Sequence, residues 1–466
     1  MGHTMMSAKS DDQIADGYEY AYRKILYPFY EGIVRQRNTF RYLAEYERDQ
    51  WRPLEELKAI QWAKTVSLLQ FSYEHVPYYR DRWDAAGIHW QDIKSMEDFA
   101  RLPLLTKDDI RNNYDRLIAR PFMGRTIRKK TGGSTGQPLV FEYTKESNQR
   151  RQAVMMRDYA WAGARPGRRT AYVWGSDIGK VPMAKRIKSE LHNRLLRRKM
   201  LDSFLLSGGN IDEYLNAIDR YRPDVLVGYV SPLHLLARHR LKRGGPRWQP
   251  KTIITGAERL LDFQRHDLEQ AFGCKVFNTY GCREFMSIAA ECSEHCGLHI
   301  NMDHLVVELL DPHDQPARTG QVVITDLHNY GMPFIRYVNG DLANELTGTC
   351  TCGRQLPRLG SVEGRMLDVI RTQDGRMLAG EFFPHLMKDI PGVEKFQVVQ
   401  KSLQGLTINI VKGEAFSREA MQILNIEIRK VLGTDIDIQY KFVATIPLTS
   451  SGKLRVTISE LSETTE

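Results

Sequence analysis

The spacing of apolar residues divides the chain into three regions. Between about residues 12 and 120, apolar positions recur every three or four residues, as in "FRYLAEYERDQWRPLEELKAIQWAKTVSLLQFSYEHV". This period predicts a mostly helical segment. In "LPLLTKDDIRNNY", Thr106 is placed to cap a helix with Asp108 and Asp109 in its first turn, where acidic side chains favour the helix dipole.

From about residue 125 to 345, short apolar runs alternate with helical stretches. Such continuous runs, with helices between them, predict a mostly buried sheet. The strand candidates are "TAYVWG", "DVLVGY", "KTIITG", "KVFNTYG" and "QVVITDL".

The pattern changes after "LGSVEGR". "MLDVIRTQDGRMLAG" predicts a strand, an Asp-Gly turn and a strand, and "EFFPHLMKDI" a short helix with Pro384 near its start. "VEKFQVVQKS" and "QGLTINIVKG" alternate as strands, an amphipathic helix runs from Ser417 to Gly433, and "DIDIQYKFV" is predicted to be the last strand. The sequence therefore predicts two domains, residues 1–364 and a smaller α+β module over residues 365–466.

Composition places the chain among globular proteins. It has 466 residues, of which 42% are hydrophobic and 26% charged, enough for two or three domains with cores of their own. No run approaches the roughly 18 apolar residues of a membrane span. The start, "MGHTMMSAKSDD", lacks the apolar core of a signal peptide. We therefore expect a cytoplasmic protein.

The net charge of +9 is concentrated in two basic runs, "RTIRKK" (125–130) and "KRIKSELHNRLLRRKM" (185–200). Both can be solvated surface. A phosphate-rich partner or an anionic membrane surface are the alternatives for the second run. The first run adjoins a glycine-rich segment, which favours a phosphate ligand there. No nucleic-acid-binding motif is present, so we expect no nucleic-acid partner.

The glycine-rich segment is "KKTGGSTGQP", residues 129–138. It is not a Walker loop, because Gly136 is followed by Gln137 and Pro138 instead of Lys and Ser or Thr. Its glycines would still let backbone N–H groups approach phosphate oxygens, and its hydroxyl groups add donors. The segment alone allows a phosphate-binding loop or a plain flexible loop.

Four later segments add chemistry in a fixed order. "NTYGCREF" (278–285) places an aromatic residue and a glycine before a carboxylate, and "FIRYVNGDLA" (334–343) holds an Asp after a tight turn. "GR" lies at 364–365, and "PLTSSGKLR" (447–455) carries a lysine on a glycine-containing loop. Each segment is weak evidence alone. The order of all five segments, from the glycine-rich segment onward over more than 300 residues, is specific.

With these motifs the chain resembles the adenylate-forming superfamily of acyl-CoA synthetases, and within it the phenylacetate–CoA ligase family. "TGGSTGQP" is similar to the phosphate loop, "GAE" (256–258) and "YGCRE" (280–284) to the nucleotide and metal segments, "RYVNGDL" to the ribose segment and "PLTSSGKLR" to the segment with the catalytic lysine. The resemblance covers residues 60 to 460. It implies an α/β fold, with a large multi-layer αβ N-terminal domain and a smaller mobile α+β C-terminal domain.

The resemblance also implies site residues. The phosphates of ATP would be held by the loop residues Thr131, Gly132, Gly133, Ser134, Thr135 and Gly136, and the nucleotide segments would be Gly256, Ala257, Glu258, Tyr280 and Gly281. Tyr280 would stack on the adenine, Glu284 would bind Mg²⁺, and Asp341 would bind the ribose with Arg365 beside it. Lys453 would be catalytic, stabilising the charge that develops as the carboxylate attacks the α-phosphate.

One position departs from the family pattern. Two residues after the Gly-Arg pair, where the superfamily usually has a polar hinge residue, this chain has Leu367, with Asp368 one position later. The C-terminal module of the superfamily swings about that point between its two half-reactions. Leu367 leaves the hinge residue undecided and raises the prospect of a modified second half-reaction.

The six cysteines suggest a metal site. Some members of the family carry a Cys, a "GLH" shortly after it and a later "CxCGR". The corresponding residues here are Cys292, His299, Cys350 and Cys352, with Cys296 or His295 as substitutes. Four N/S ligands suit a structural Zn²⁺ site. Reduced cysteines without metal are the alternative.

The resemblance implies ATP-dependent activation of a carboxylic acid as an acyl-adenylate, with release of pyrophosphate and transfer to a thiol, most simply coenzyme A. Relatives with the helical N-terminal segment and "YGCREF" resemble proteins of capsule and exopolysaccharide pathways, where the acceptor could be an amine or hydroxyl. The third hypothesis is a nucleotide-binding protein that has lost catalysis. The presence of Lys453, Glu284 and Asp341 argues against it. The sequence identifies neither the acid nor whether the chain forms a homodimer.

Overall fold

The computed structural model describes residues 17–131, 139–175, 183–206, 209–244, 248–363, 370–371, 377–378, 380, 382–387, 390–447 and 456–461. None of the helices in these ranges is both long and apolar enough to cross a membrane.

The first hundred described residues are helical, as the apolar period predicts. Residues 17–34 form successive turns of α and wider π geometry, Gly17–Ala21 (α1), Tyr22–Leu26, Tyr27–Phe29 (α2) and Tyr30–Val34. The helices that follow are Thr39–Asp49 (α3), Leu54–His75 (α4), Pro77–Ala85 (α5), Met96–Phe99 (α6), Lys107–Asn112 (α7) and Tyr114–Leu117 (α8), with short 3₁₀ turns at Trp90–Asp92 and Arg120–Phe122. Thr106 caps α7 as predicted, since its Oγ1 accepts a hydrogen bond of 3.1 Å from the backbone N–H of Asp109.

The body alternates strands and helices. A hairpin of Ile127–Lys130 (β1) and Val140–Tyr143 (β2) leads into Lys145–Trp161 (α9), Thr170–Trp174 (β3), Met183–Leu195 (α10), Arg198–Asp202 (β4), Ile211–Tyr221 (α11), Val225–Tyr229 (β5), Val230–Lys242 (α12), Thr252–Gly256 (β6), Asp262–Phe272 (α13) and Lys275–Tyr280 (β7). Six strands follow: Ala289–Glu291 (β8), Leu298–Ile300 (β9), Leu305–Leu310 (β10), Thr319–Asp326 (β11), Tyr337–Leu346 (β12) and Arg358–Glu363 (β13).

One sheet of eleven strands joins these elements, in the order β10-β11-β12-β13-β9-β8-β7-β6-β5-β3-β4. The half from β4 to β7 is parallel, and the remaining pairs are antiparallel. All five predicted strands of this region are present. The parallel strands β5 and β6 are buried along their whole length, which explains why they are apolar at nearly every position.

The residues of the predicted C-terminal α+β module pack in one apolar cluster, which also includes Phe204 and Tyr229 from the preceding part of the chain. The module contains Ile370–Arg371 (β14), Met377–Leu378 (β15), Phe382–Met387 (α14), Val393–Ser402 (β16), Gly405–Lys412 (β17), Arg418–Leu432 (α15), Asp437–Phe442 (β18) and Thr457–Ser459 (β19). Ser417 caps α15 as predicted, because its Oγ accepts from the N–H of Ala420 at 3.2 Å. The sheet order is β18-β17-β16-β19.

Two expectations about local structure are wrong. The strand predicted as the last, β18, is followed by β19, which pairs in parallel with β16. A three-residue strand is too short to show a period of two in the sequence. Asp341 does not follow a tight turn but lies inside β12, where Gly340 has a positive φ of 93°. The Asn-Gly pair that suggested a turn is an irregularity within a strand.

Candidate active site

The parallel half of the sheet ends in a row of predicted site residues. The last residues of β3, β5, β6 and β7 are Trp174, Tyr229, Gly256 and Tyr280. Ligands of open α/β sheets bind outside the carboxyl ends of the strands. The fold therefore brings the nucleotide segments to one edge, together with Trp174 and Tyr229, whose segments the sequence predicts to line the carboxylate pocket.

The glycine-rich segment joins the two strands of the β1–β2 hairpin. Residues Gly132, Gly133, Ser134, Thr135 and Gly136 lie outside the described part of the chain, but both flanks are described. The backbone N–H of Thr131 donates to the carbonyl of Leu139, and the N–H of Leu139 donates to Thr131 Oγ1, both at 2.9 Å. The Thr131 hydroxyl thus closes the base of the loop.

A contact links this hairpin to the segment after β7. The Arg283 guanidinium donates to the carbonyl of Lys130 at 3.3 Å. The backbone carbonyl of Arg283 accepts from Arg151 of α9 at 2.5 Å. The end of β1, which precedes the predicted phosphate loop, therefore contacts the predicted metal segment about 150 residues later in the sequence.

The Gly256-Ala257-Glu258 segment follows β6. A Cβ at Gly256 would lie 2.9 Å from Thr279 Oγ1, so glycine permits the close approach of the two strand ends. Ala257 has a φ of 68°, a left-handed conformation that costs about 1–2 kcal/mol in a residue with a Cβ. Glu258 accepts a hydrogen bond of 2.6 Å from the N–H of Ser231, and burial of its carboxyl group raises its pKa.

The turn after β7 needs a glycine. A Cβ at Gly281 would lie 1.9 Å from the carbonyl oxygen of Met286. The turn closes through the N–H of Met286, which donates to the carbonyl of Cys282 at 2.6 Å. Any larger residue at 281 would force this turn open and displace Glu284.

Tyr280 and Asp341 are directly bonded. The Tyr280 hydroxyl donates to Asp341 Oδ2 at 2.9 Å, and Asn339 Nδ2 lies 2.7 Å from that hydroxyl and 2.6 Å from the same carboxylate oxygen. Burial and the Asp341 charge raise the pKa of Tyr280 well above its usual value. Tyr280 is therefore a neutral donor that holds the Asp341 carboxylate in place.

Glu284 is nearly buried, with 8% of its surface exposed, and it accepts a hydrogen bond of 3.2 Å from the Tyr337 hydroxyl. Burial and the neighbouring Glu284 raise the pKa of Cys282 well above its usual value, so Cys282 stays a neutral thiol. Glu284 thus offers carboxylate oxygens, which are ligands that Mg²⁺ prefers.

Arg365 and the catalytic candidate Lys453 also lie outside the described part of the chain, as do Leu367 and Asp368 of the expected hinge.

Sequence reasoning missed Asn339, Tyr337 and Arg151. Asn339 and Tyr337 lie two and four residues before Asp341, and that spacing along a strand was the signal that could have identified them. Arg151 is 2% exposed, its guanidinium lies 4.7 Å from the Tyr143 ring centroid, and its Nε and Nη1 have no hydrogen-bond partner among the described residues. Nothing in the local sequence distinguishes this arginine from its neighbour Arg150.

The four expected zinc ligands come together elsewhere in the fold. Cys292 and His299 lie at the ends of the β8–β9 hairpin, and Cys350 and Cys352 lie in the loop between β12 and β13. Their ligand atoms are all within 4.8 Å of one another. Cys292 and Cys350 Sγ are 3.7 Å apart, and Cys352 Sγ lies 3.4 Å from His299 Nε2.

These separations suit a tetrahedral ion. Zn–S bonds of about 2.3 Å and Zn–N bonds of about 2.0 Å give S–S and S–N edges of roughly 3.8 and 3.5 Å. His299 Nδ1 lies 3.2 Å from the carbonyl of Leu356, which leaves Nε2 facing the cluster. The substitutes Cys296 and His295 face elsewhere: Cys296 is exposed, and His295 Nδ1 lies 3.3 Å from Glu291.

A curated relative decides the family. The phenylacetate-coenzyme A ligase of Thermus thermophilus is 30% identical over 385 residues, which cover 79% of this chain and 84% of that protein. The chain belongs to the phenylacetate–CoA ligase family. The predicted family and the predicted class of enzyme, an adenylate-forming carboxylate ligase, are confirmed.

Other relatives match different shares of the chain. The Escherichia coli phenylacetate-coenzyme A ligase is 28% identical over 330 residues, covering 68% of this chain and 73% of that protein. Protein CapK of Staphylococcus aureus is 26% identical over 437 residues, covering 92% and 94%. Residues 370–460 match the family model of the CapK C-terminal domain.

Solved structures confirm the fold class. A crystal structure of 2-hydroxyisobutyryl-CoA ligase in complex with 2-HIB-AMP and CoA in the thioesterification state superposes with a TM-score of 0.58 at 22% identity, covering 88% of this chain and 91% of that one. The ligase in its postadenylation state gives a TM-score of 0.57. The chain therefore shares the fold of 2-hydroxyisobutyryl-CoA ligase over 88% of its length.

Proposed function

We propose that this enzyme activates a carboxylic acid with ATP and transfers the acyl group to coenzyme A. The observation that carries the proposal is the Tyr280–Asn339–Asp341 cluster, which lies at the carboxyl end of β7. A carboxylate held in one position there is suited to accept hydrogen bonds from the two ribose hydroxyls of a nucleotide.

In the first half-reaction, a carboxylate oxygen of the substrate attacks the α-phosphorus of ATP. The bond to the bridging oxygen breaks, and pyrophosphate leaves. The glycine-rich loop would hold the β- and γ-phosphates, with Thr131 closing its base. Lys453 would donate to the oxygens that gain charge at the α-phosphate, and Glu284 would hold the Mg²⁺ that neutralises the phosphates.

In the second half-reaction, the sulfur of the CoA thiol attacks the acyl carbonyl carbon, and AMP leaves with the bonding electrons. The thiol proton passes to solvent. Lys453 must then move away from the acyl group. We place the domain boundary at residues 364 and 365 and the pivot in residues 364–368, so that the module carrying Lys453 can turn as a unit.

We further propose that Cys292, His299, Cys350 and Cys352 hold a structural Zn²⁺. The separations of their ligand atoms support a closed tetrahedral site. With four protein ligands, no position is left for water, so the ion would stabilise the loop between β12 and β13 and take no part in catalysis.

The test is a panel of aliphatic and aromatic carboxylic acids assayed for pyrophosphate release and AMP formation, with and without CoA. An active enzyme releases pyrophosphate with at least one acid, and CoA raises AMP formation and gives an acyl-CoA product. If no acid gives pyrophosphate release while ATP binding is measurable, the protein binds nucleotide but is not an adenylating enzyme.

A second acceptor is supported by one observation. The module that would deliver the acyl group matches the CapK C-terminal domain, and the CapK match spans more of the chain than the phenylacetate ligase matches do. If pyrophosphate release is robust and CoA has no effect, amine and hydroxyl compounds become the acceptors to screen.

A further inference from the structure

Exposed apolar side chains are concentrated in two segments far from each other in the sequence. Of the twenty-one large apolar side chains exposed in the described part of the chain, twelve lie in residues 17–34 and 183–200. These segments make up less than a tenth of the 466 residues. Single exposed apolar residues need no explanation, but a local concentration indicates an interaction surface.

Helix α10 presents an apolar stripe to solvent. Met183, Ile187, Leu191 and Leu195 follow one another at every fourth position and are 79%, 55%, 61% and 44% exposed. Residues four apart share one face of a helix. This face of α10 is therefore apolar and uncovered.

The segment over residues 17–34 repeats the pattern. Ile25, Phe29 and Ile33, again four apart, are 61%, 55% and 66% exposed, whereas Tyr22 is 2% exposed. One side of the segment is therefore held against the body, and the other presents large apolar groups to water.

The two segments adjoin at the edge of the main sheet. Strand β4, which follows α10, is the last strand of that sheet. The Arg197 guanidinium lies 4.8 Å from the ring centroid of Tyr18. Burial and the nearby charges of Arg198, Arg35 and Arg37 lower the pKa of His192 on α10, which places the end of the first segment beside this helix.

The same region is strongly basic. Residues 17–37 and 183–200 contain eleven Lys and Arg against three Glu, a net charge of +8, compared with +9 for the whole chain. Glu19 and Glu31 are buried, and Glu190 lies 3.3 Å from Arg194. The surface therefore combines apolar side chains with cations and almost no exposed carboxylate.

We propose that residues 17–37 and α10 with β4 form a docking surface for an anionic lipid bilayer, with the apolar side chains in the interface and the cations at the headgroups. Amphipathic helices with basic polar faces bind in this way, lying in the plane of the membrane. A second copy of the chain is a poorer partner, because a symmetric contact would oppose two surfaces of +8.

The test is flotation of the full-length protein with lipid vesicles. We expect binding to phosphatidylcholine vesicles containing phosphatidylglycerol, little binding to phosphatidylcholine alone, and release at 0.5 M NaCl. Ile187→Glu with Leu191→Glu should abolish binding. The matched control is Ile423→Glu with Ile426→Glu, which changes two exposed isoleucines of α15 that are 48% and 61% exposed.

A charge variant tests the electrostatic part. Lys188→Glu with Lys199→Glu should weaken binding by at least about tenfold, because each cation near an anionic surface contributes about a fivefold factor. Lys441→Glu, at an exposed site of the C-terminal module, should bind as the wild type does. Melting temperature and pyrophosphate release, unchanged in all variants, exclude misfolding.

Three results would overturn the proposal. They are equal binding to neutral and anionic vesicles, undiminished binding of the α10 variant, and no binding of the wild type to either vesicle. If the wild type is a dimer in solution that Ile187→Glu with Leu191→Glu dissociates, and it does not bind vesicles, the surface is a contact between two copies of the chain.

Discussion

At the scale of single residues, the site depends on polar groups whose positions are fixed by other polar groups. Asp341 is held by Tyr280 and Asn339, and Glu284 by Tyr337. Such bonds keep a carboxylate in one orientation before a ligand arrives. Binding then costs less ordering of side chains.

Asp341→Asn tests the proposed ribose contact. The change keeps the shape but replaces an acceptor by a donor, so we expect kcat/KM for ATP to fall about 10- to 100-fold, as for the loss of hydrogen bonds to a charged group. Initial rates of pyrophosphate release at varied ATP give this ratio. Asp311→Asn, in an exposed turn, is the control and should leave the ratio unchanged, while an unaffected Asp341→Asn enzyme would rule out the ribose role.

Glu258 predicts a pH dependence of stability. Because burial raises its pKa in the folded protein, the ionised form costs stability at pH values above that raised pKa, and the cost disappears as the pH falls toward the usual value of 4.5. Glu258→Gln can keep the acceptor for the Ser231 N–H without the charge. We expect it to melt higher than the wild type at pH 8, with a smaller difference at pH 5.

Thermal unfolding over this pH range makes the comparison. Glu294→Gln, an exposed carboxylate near the cysteine cluster, should show no such trend. A Glu258→Gln protein that melts lower than the wild type at pH 8 would contradict the assignment.

At the scale of elements, the cysteine cluster joins the β8–β9 hairpin to the loop between β12 and β13. Behind it, Trp161 of α9 packs at 5.7 Å from the His299 ring, and the Arg354 guanidinium lies 4.7 Å from Trp161 and 4.5 Å from Trp51. Gln50 Oε1 accepts from both Trp161 Nε1 and Arg354 Nε. The N-terminal helices, α9 and the loop between β12 and β13 therefore share one interface.

Cys350→Ser tests the zinc site. We expect purified wild-type protein to hold roughly one zinc per chain and the variant to hold almost none, with a lower melting temperature, because binding energy of a structural metal is folding energy. Metal analysis of protein prepared without chelators measures the content. Cys296→Ser changes an exposed cysteine of the same region and should keep its zinc. Wild-type protein without zinc would contradict the proposed metal site.

At the scale of the whole molecule, the two parts of the chain make contact near the predicted carboxylate pocket. The Phe204 ring lies 5.5 Å from Phe382 of the C-terminal module and 6.3 Å from Tyr229 at the end of β5. Phe204 and Tyr229 join the apolar core that the module forms. A rotation of the module would therefore change the wall of the pocket as well as the position of Lys453.

Lys453→Ala and Asp368→Pro separate the two half-reactions. Lys453→Ala should lower the rate of adenylate formation by about 10²–10³, since it removes a donor that stabilises developing charge. Asp368→Pro stiffens the backbone at the expected pivot and should impair acyl transfer far more than adenylation. Single-turnover assays of pyrophosphate release and acyl transfer give the two rates. Equal losses in the Asp368→Pro enzyme would place the pivot elsewhere.

The sequence by itself predicted four of the five strands of the parallel half, β3, β5, β6 and β7, but not β4. It also predicted the helix capped by Thr106 and the α+β module around α15. It could do so because burial repeats locally, every position in a doubly covered strand or every three to four in a helix. The sequence did not predict the short strand β19 or the irregularity at Gly340, because neither produces a repeating pattern of apolar residues.

The tertiary structure decided which distant residues meet. Residue types and spacing allowed His295 or Cys296 in the metal cluster and gave Asp341 no partner. The pairing of β9 with β13 brings the 350–352 loop to His299. The cluster that results does not include His295 or Cys296. The fold brings Asp341 of β12 to the Tyr280 end of β7, although three strands separate β12 from β7 in the sheet, and so gives Asp341 its bond to Tyr280. Strand order is set by burial shared among segments tens of residues apart, and no local pattern contains that information.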